Sequence, residues 1–150
     1  MKDALKISLE SCLKIFEKQA IPGYANYSYD AYNLIITYLK NTFDLEYINY
    51  SGFHIRSLID ARRAAYIYLK ESSLLLPKYN QTKLLTVALL FKDISDLLQN
   101  VISYNDLYIS FNEIILTVEI REQLVKTLQK TVNLEKQIRI MVKDILDNWK

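Results

Sequence analysis

The residues with the most chemical potential in this chain are few: one cysteine, Cys12, one histidine, His54, and two charged residues, Arg62 and Glu122, set among apolar neighbours. A Cys and a His can form a nucleophile–base pair, but a reactive thiolate needs exposure and an electropositive neighbour. Cys12 falls inside the apolar series Leu5, Leu9, Leu13 and Phe16, which predicts a small buried hydrophobe. His54 follows Gly52 near the expected start of a helix, a position for a surface or cap-proximal histidine.

Arg62 and Glu122 are the more informative pair. In "HIRSLIDARRAAYIYL" the residues Ile55, Leu58, Ile59, Tyr66 and Leu69 form one helical stripe with Arg62 in its middle. In "FNEIILTVEIREQLV" the series Phe111, Ile114, Ile115, Val118 and Val125 has Glu122 at its centre by the same projection. Three fates are open to Arg62. Its stem can lie along apolar surface with the guanidinium in water, it can pair with Glu122 in the interior, or it can hold an anion. Arg56, Asp60 and Arg63 project from a neighbouring face at helical spacing and form a solvated network of little energetic weight.

The third feature is aromatic. "AIPGYANYSYDAY" gathers Tyr24, Tyr27, Tyr29 and Tyr32 behind Pro22-Gly23. Around the helix that follows, Tyr29, Tyr32 and Ile36 project away from the Leu34/Ile35/Tyr38 stripe, so this set forms a second apolar face. It either packs on the connector around Phe43, Tyr47 and Tyr50 or docks another protein or domain, since aromatics are enriched at interfaces. The partner-binding candidates are therefore Tyr24, Tyr27, Tyr29, Tyr32 and Ile36, with Tyr29 and Tyr32 expected to be exposed.

The elements that position these residues are helices. Half of the 150 residues are hydrophobic and the chain has only two Gly and two Pro, which points to an all-α bundle of five or six helices in a single domain. The first helix ends before Pro22-Gly23. The second is capped by Ser28, carries Asp30 in its first turn and runs to about Asn41, with Ala31, Leu34, Ile35 and Tyr38 facing inward. "NTFDLEYINYSG" is the connector to a third helix, about Phe53 to Ser72, and Pro77 punctuates the turn after it. From Gln81 to Val101 apolar residues cover about half the helical circumference, the mark of a central helix with neighbours on more than one side. The remainder keeps helical spacing to Trp149, as two helices meeting near Val132-Asn133. "YISFNEIILTVEI" and "DLEYINY" are the segments with β-favouring character.

Composition excludes several classes of function. Nineteen Lys and Arg against seventeen Asp and Glu give a formal net charge of +2, too weak and too scattered for nucleic-acid binding. A lone Cys and a lone His leave no soft-metal ligand set, and no glycine-rich phosphate loop, HExxH or Gly-x-Ser-x-Gly motif is present. No cofactor, metal or catalytic residue is expected. No secretion signal opens the chain and no stretch approaches the roughly 20 apolar residues of a membrane span, which predicts a cytoplasmic protein without membrane contact.

The order of "R-x-x-x-x-x-R-R-A-A-Y-x-Y-L", "LLTVALLFKDISDLL" and "EIILTVEIREQL" resembles the helical portion of proteins related to the butirosin biosynthesis protein H family, over Ser28 to Leu128. In that family a papain-like domain with a catalytic Cys and His precedes the helices and performs acyl transfer in natural-product assembly. This chain shows no match to that region, so no catalytic residue carries over. The resemblance implies an accessory helical module of a larger protein, with Arg62, Arg63 and Tyr66 on its arginine-bearing helix. Two readings follow: a non-catalytic module that binds a protein partner or neighbouring domain through an aromatic face, or the helical portion of an acyltransferase-like enzyme that contributes Arg62 and tyrosines to a substrate pocket.

Overall fold

A computed structural model describes residues 2–17, 29–41, 45–104 and 118–149. They form an all-α bundle of five helices: α1 (Lys2–Phe16), α2 (Tyr29–Asn41), α3 (Leu45–Ser73), α4 (Lys78–Tyr104) and α5 (Val118–Asp147). Local charge supports several of the ends. Asp3 lies in the first turn of α1 and Lys14 in its last, and Glu119 opens α5, each sign opposing the partial charge of its helix terminus.

The long helices α3, α4 and α5 pack most extensively, and α1 and α2 lie against α5. The α3–α4 turn is tight. Leu74, Leu75 and Leu76 donate their N–H groups to the carbonyls of Glu71, Ser72 and Ser73 at 3.3, 3.0 and 3.1 Å, a three-residue spacing that satisfies carbonyls left open at the helix end. Pro77 cannot donate, but its carbonyl accepts from Gln81 N at 2.8 Å and opens α4. Ser95 Oγ donates to the Ile59 carbonyl at 3.3 Å, which ties the middle of α4 to α3. At the other side Asn80 Nδ2 donates to the Asn148 carbonyl at 3.2 Å and Lys83 pairs with Asp144. These pairs run in opposite directions along the two helices, so α5 is antiparallel to α4.

All five helices feed the core, and α4 is its centre. Leu84, Val87, Ala88, Ile94 and Leu98 are fully enclosed, as its broad apolar arc predicts.

Two boundaries and one inward face differ from expectation. From Leu45 onward the expected connector is helix: α3 starts there, eight residues ahead of Phe53. α5 passes through Val132-Asn133 without a break. The inner face of α2 is Tyr32, Ile35, Ile36 and Leu39, whereas Leu34 is 39% exposed. This is a rotation of one residue, roughly 100°, from the expected face. Both faces of α2 are apolar, so periodicity alone does not choose between them. The Pro22-Gly23 connector, the Ser28 cap and residues 108–117 of "YISFNEIILTVEI" lie outside the described residues.

Candidate functional site

The α2 rotation carries Tyr32 into the interior, where it meets a charge from each of two other helices. On α3, Ile55, Ile59 and Leu69 are buried, and the alternating four- and three-residue steps place Arg62 on their line. On α5 the buried series Leu124, Leu128, Thr131, Ile138, Val142 and Ile145 includes Glu135, which is 1% exposed.

The three side chains converge on one oxygen. Arg62 donates to Glu135 Oε1 from Nε at 2.7 Å, and its Nη2 lies 2.5 Å from the same oxygen as an ion pair. The Tyr32 hydroxyl donates to the same oxygen at 2.5 Å and accepts from Arg62 Nη2 at 3.2 Å. Phe91 of α4 covers the guanidinium, with Cζ 5.7 Å from the ring centroid, a spacing suited to cation–π attraction. Arg62 keeps 21% of its side chain exposed.

Above this cluster opens a cleft of about 240 Å³. Its polar lining is Cys12, Tyr32, Arg62 and Glu135; its apolar lining is Ile15, Phe16, Ala31, Leu58 and Phe91. Burial pushes the Cys12 thiol up to about 11, with Arg62 lowering it and Glu135 raising it by smaller amounts. Burial likewise raises the Tyr32 phenol above its ordinary value. Burial opposes the charge on Arg62, yet the Glu135 carboxylate and the Tyr32 oxygen outweigh it and hold the guanidinium above its already high range. At neutral pH the cleft is therefore lined by a guanidinium paired with Glu135, a neutral phenol and a protonated thiol, and neither the phenol nor the thiol is an activated nucleophile.

Several expected roles change. Arg62 does enter a buried polar contact, but its partner is Glu135, not Glu122. Glu122 is exposed and lines a separate groove of about 470 Å³ with Leu39, Lys40 and Arg121. On the continuous α5 it projects roughly 140° away from Glu135. Tyr32 and Ile36 are not a docking surface; they are 2% and 8% exposed and belong to the core. Tyr24 and Tyr27 lie outside the described residues, and Tyr29 begins α2 with its side chain outside them. Cys12 is half-buried against the core. His54 lies within α3, not at its start.

Glu135 is the residue that sequence spacing passes over. A break at Val132-Asn133 cuts the α5 stripe just before it. Extending the three- and four-residue steps from Leu128 through Thr131 to Ile138 places a carboxylate at the stripe's centre, and that is the signal that finds it.

Among the described residues no group of three or more His, Cys, Asp or Glu is placed to hold a metal ion, and no helix is long and apolar enough to cross a membrane. Comparison with family models, curated proteins and solved structures finds no match to the chain.

Proposed function

We propose that this chain is a non-catalytic helical module that docks against a protein partner or a neighbouring domain. The observation that carries this reading is the apolar end of the bundle at the α3–α4 turn, where Leu74 is 76% exposed, Tyr79 61% and Leu75 36%. Such side chains, close together in the chain on a short turn, form a patch of the kind used at interfaces. Tyr79 is also held in place, since Lys83 lies over its ring at 4.0 Å from the centroid and reaches Asp144 on α5. The interior cluster supports the non-catalytic half of the reading, because its charges are spent on each other.

Replacing Leu74 with Asp and Tyr79 with Ala tests the proposal. Exposed side chains contribute little to folding, so the double variant should melt close to the native chain while losing the partner that the native chain retains. Retention of that partner by the variant removes the turn from the interface.

One observation favours the second reading, a helical portion of an acyltransferase-like enzyme: Arg62 and Tyr32 line the same cleft. An upstream coding segment with a Cys and a His in the native gene would support it, and a gene without one would set it aside.

A further inference from the structure

The cleft above Arg62 has a donor to offer and little charge. Arg62 spends Nε and Nη2 on Glu135 and Tyr32, while Nη1 has no partner among the described residues. Glu135 reaches the lining of the cleft but is only 1% exposed and is taken up by Arg62 and Tyr32, whereas Arg62 keeps 21% of its side chain open. Of the two charged groups that line the cleft, the one more open to an incoming molecule is thus a hydrogen-bond donor whose charge is already balanced. Around it stand Ile15, Phe16, Leu58 and Phe91.

We infer that this cleft binds a small, uncharged, mostly apolar molecule carrying a carbonyl oxygen, such as a ketone, ester or amide, with the oxygen accepting from Arg62 Nη1. Size sets the first limit: about 240 Å³ is below the roughly 300–1,000 Å³ of sites for drug-sized ligands and matches a molecule of about ten non-hydrogen atoms. Charge sets the second. A carboxylate would bring a second negative group beside Glu135 and leave the cleft with an excess charge away from water, which costs more than one shared donor returns. A cation would face the guanidinium. A pure hydrocarbon would gain the apolar contacts but cover a donor without satisfying it. This inference is independent of the docking surface at the α3–α4 turn, which lies on other residues.

The test uses the full chain and three molecules of similar shape: acetophenone, ethylbenzene and benzoate, each titrated by saturation-transfer NMR with the Ala31 methyl followed in the protein spectrum. Acetophenone should shift the Ala31 methyl saturably and bind about tenfold more tightly than either of the others, the worth of one hydrogen bond to a charged donor. Ile15→Trp should abolish this binding by filling the mouth of the cleft, and because Ile15 is 40% exposed the helix content should be unchanged. If Ile15→Trp does not fold, the Ala31 shift in the native chain alone decides the location. Three results overturn the inference: benzoate or ethylbenzene binding as tightly as acetophenone, acetophenone binding with the Ala31 methyl unmoved, or no binding of acetophenone at millimolar concentration.

Discussion

Arg62, Glu135 and Tyr32 illustrate how a buried charge is tolerated only when its surroundings answer it. Glu135 is 1% exposed and accepts from both partners. Arg62→Ala leaves that carboxyl group enclosed with the Tyr32 hydrogen bond but without its countercharge, which should cost on the order of 3–5 kcal/mol, whereas exchanging Arg62 and Glu135 together for apolar residues of similar volume should be far milder. A double-mutant cycle in urea measures the difference. Strong coupling is expected for Arg62 with Glu135 and essentially none for Arg62 with Glu122, which lies on another face of α5. Tyr32→Phe keeps the ring's packing but removes a donor to a charged group, and equilibrium unfolding should register a loss of about 1.5–3 kcal/mol.

At the scale of single helices, α4 and α5 make opposite kinds of demand. α4 is held by enclosure. Phe91 is 5% exposed and also covers the Arg62 guanidinium, so Phe91→Ala should cost about 3–5 kcal/mol in a denaturant titration; a loss under about 1 kcal/mol would mean that the site collapses around the deletion or that the ring is not enclosed. α5 is held by continuity, because one unbroken helix must carry Leu124 and Ile145 on the same stripe as Glu135. Asn133 is exposed at its middle, and Asn133→Pro should destabilise the protein by about 3 kcal/mol or more through a lost backbone hydrogen bond and a steric clash. A junction between two helices would accept the proline with little change in melting temperature.

For the molecule as a whole, the shifted groups act in one direction. The Cys12 thiol, ordinarily near 9.0, is pushed up to about 11 by burial, and the Tyr32 phenol is raised for the same first reason. A folded-state pKa above the unfolded one means that the folded protein keeps a proton the unfolded chain releases, so stability is fully present below the unfolded value and falls as pH rises through the folded one. The midpoint of urea unfolding should therefore decline steadily above about pH 9. Cys12→Ala should flatten that decline between about pH 9 and 11, by on the order of 2–3 kcal/mol across the window, and an unchanged slope would show that the thiol does not titrate as a buried group. In the native protein near neutral pH the same burial should make Cys12 react slowly with a disulfide reagent, its rate rising when urea opens the bundle.

What the sequence determined by itself is what nearest neighbours along a helix decide. Three- and four-residue apolar spacing is a property of local geometry, so the all-α class, the central place of α4, the punctuation at Pro77 and the position of Arg62 on an apolar stripe are all legible without any tertiary information. The tertiary structure alone decided matters of phase and partnership. α2 is apolar on two faces, and it turns Tyr32 rather than Leu34 inward because only the core supplies Glu135 and Arg62 to the phenol. Glu122 and Glu135 are both carboxylates on α5, and the choice between them depends on the helix running unbroken past Asn133 and on which side α3 approaches. "DLEYINY" alternates like a strand for a few residues, yet from Leu45 onward it belongs to α3, since weak local preference yields to an adjoining helix that already has a surface to pack on. Partners 73 and 103 residues apart along the chain leave no periodic trace of each other, because their pairing energy exists only after the helices have been brought together.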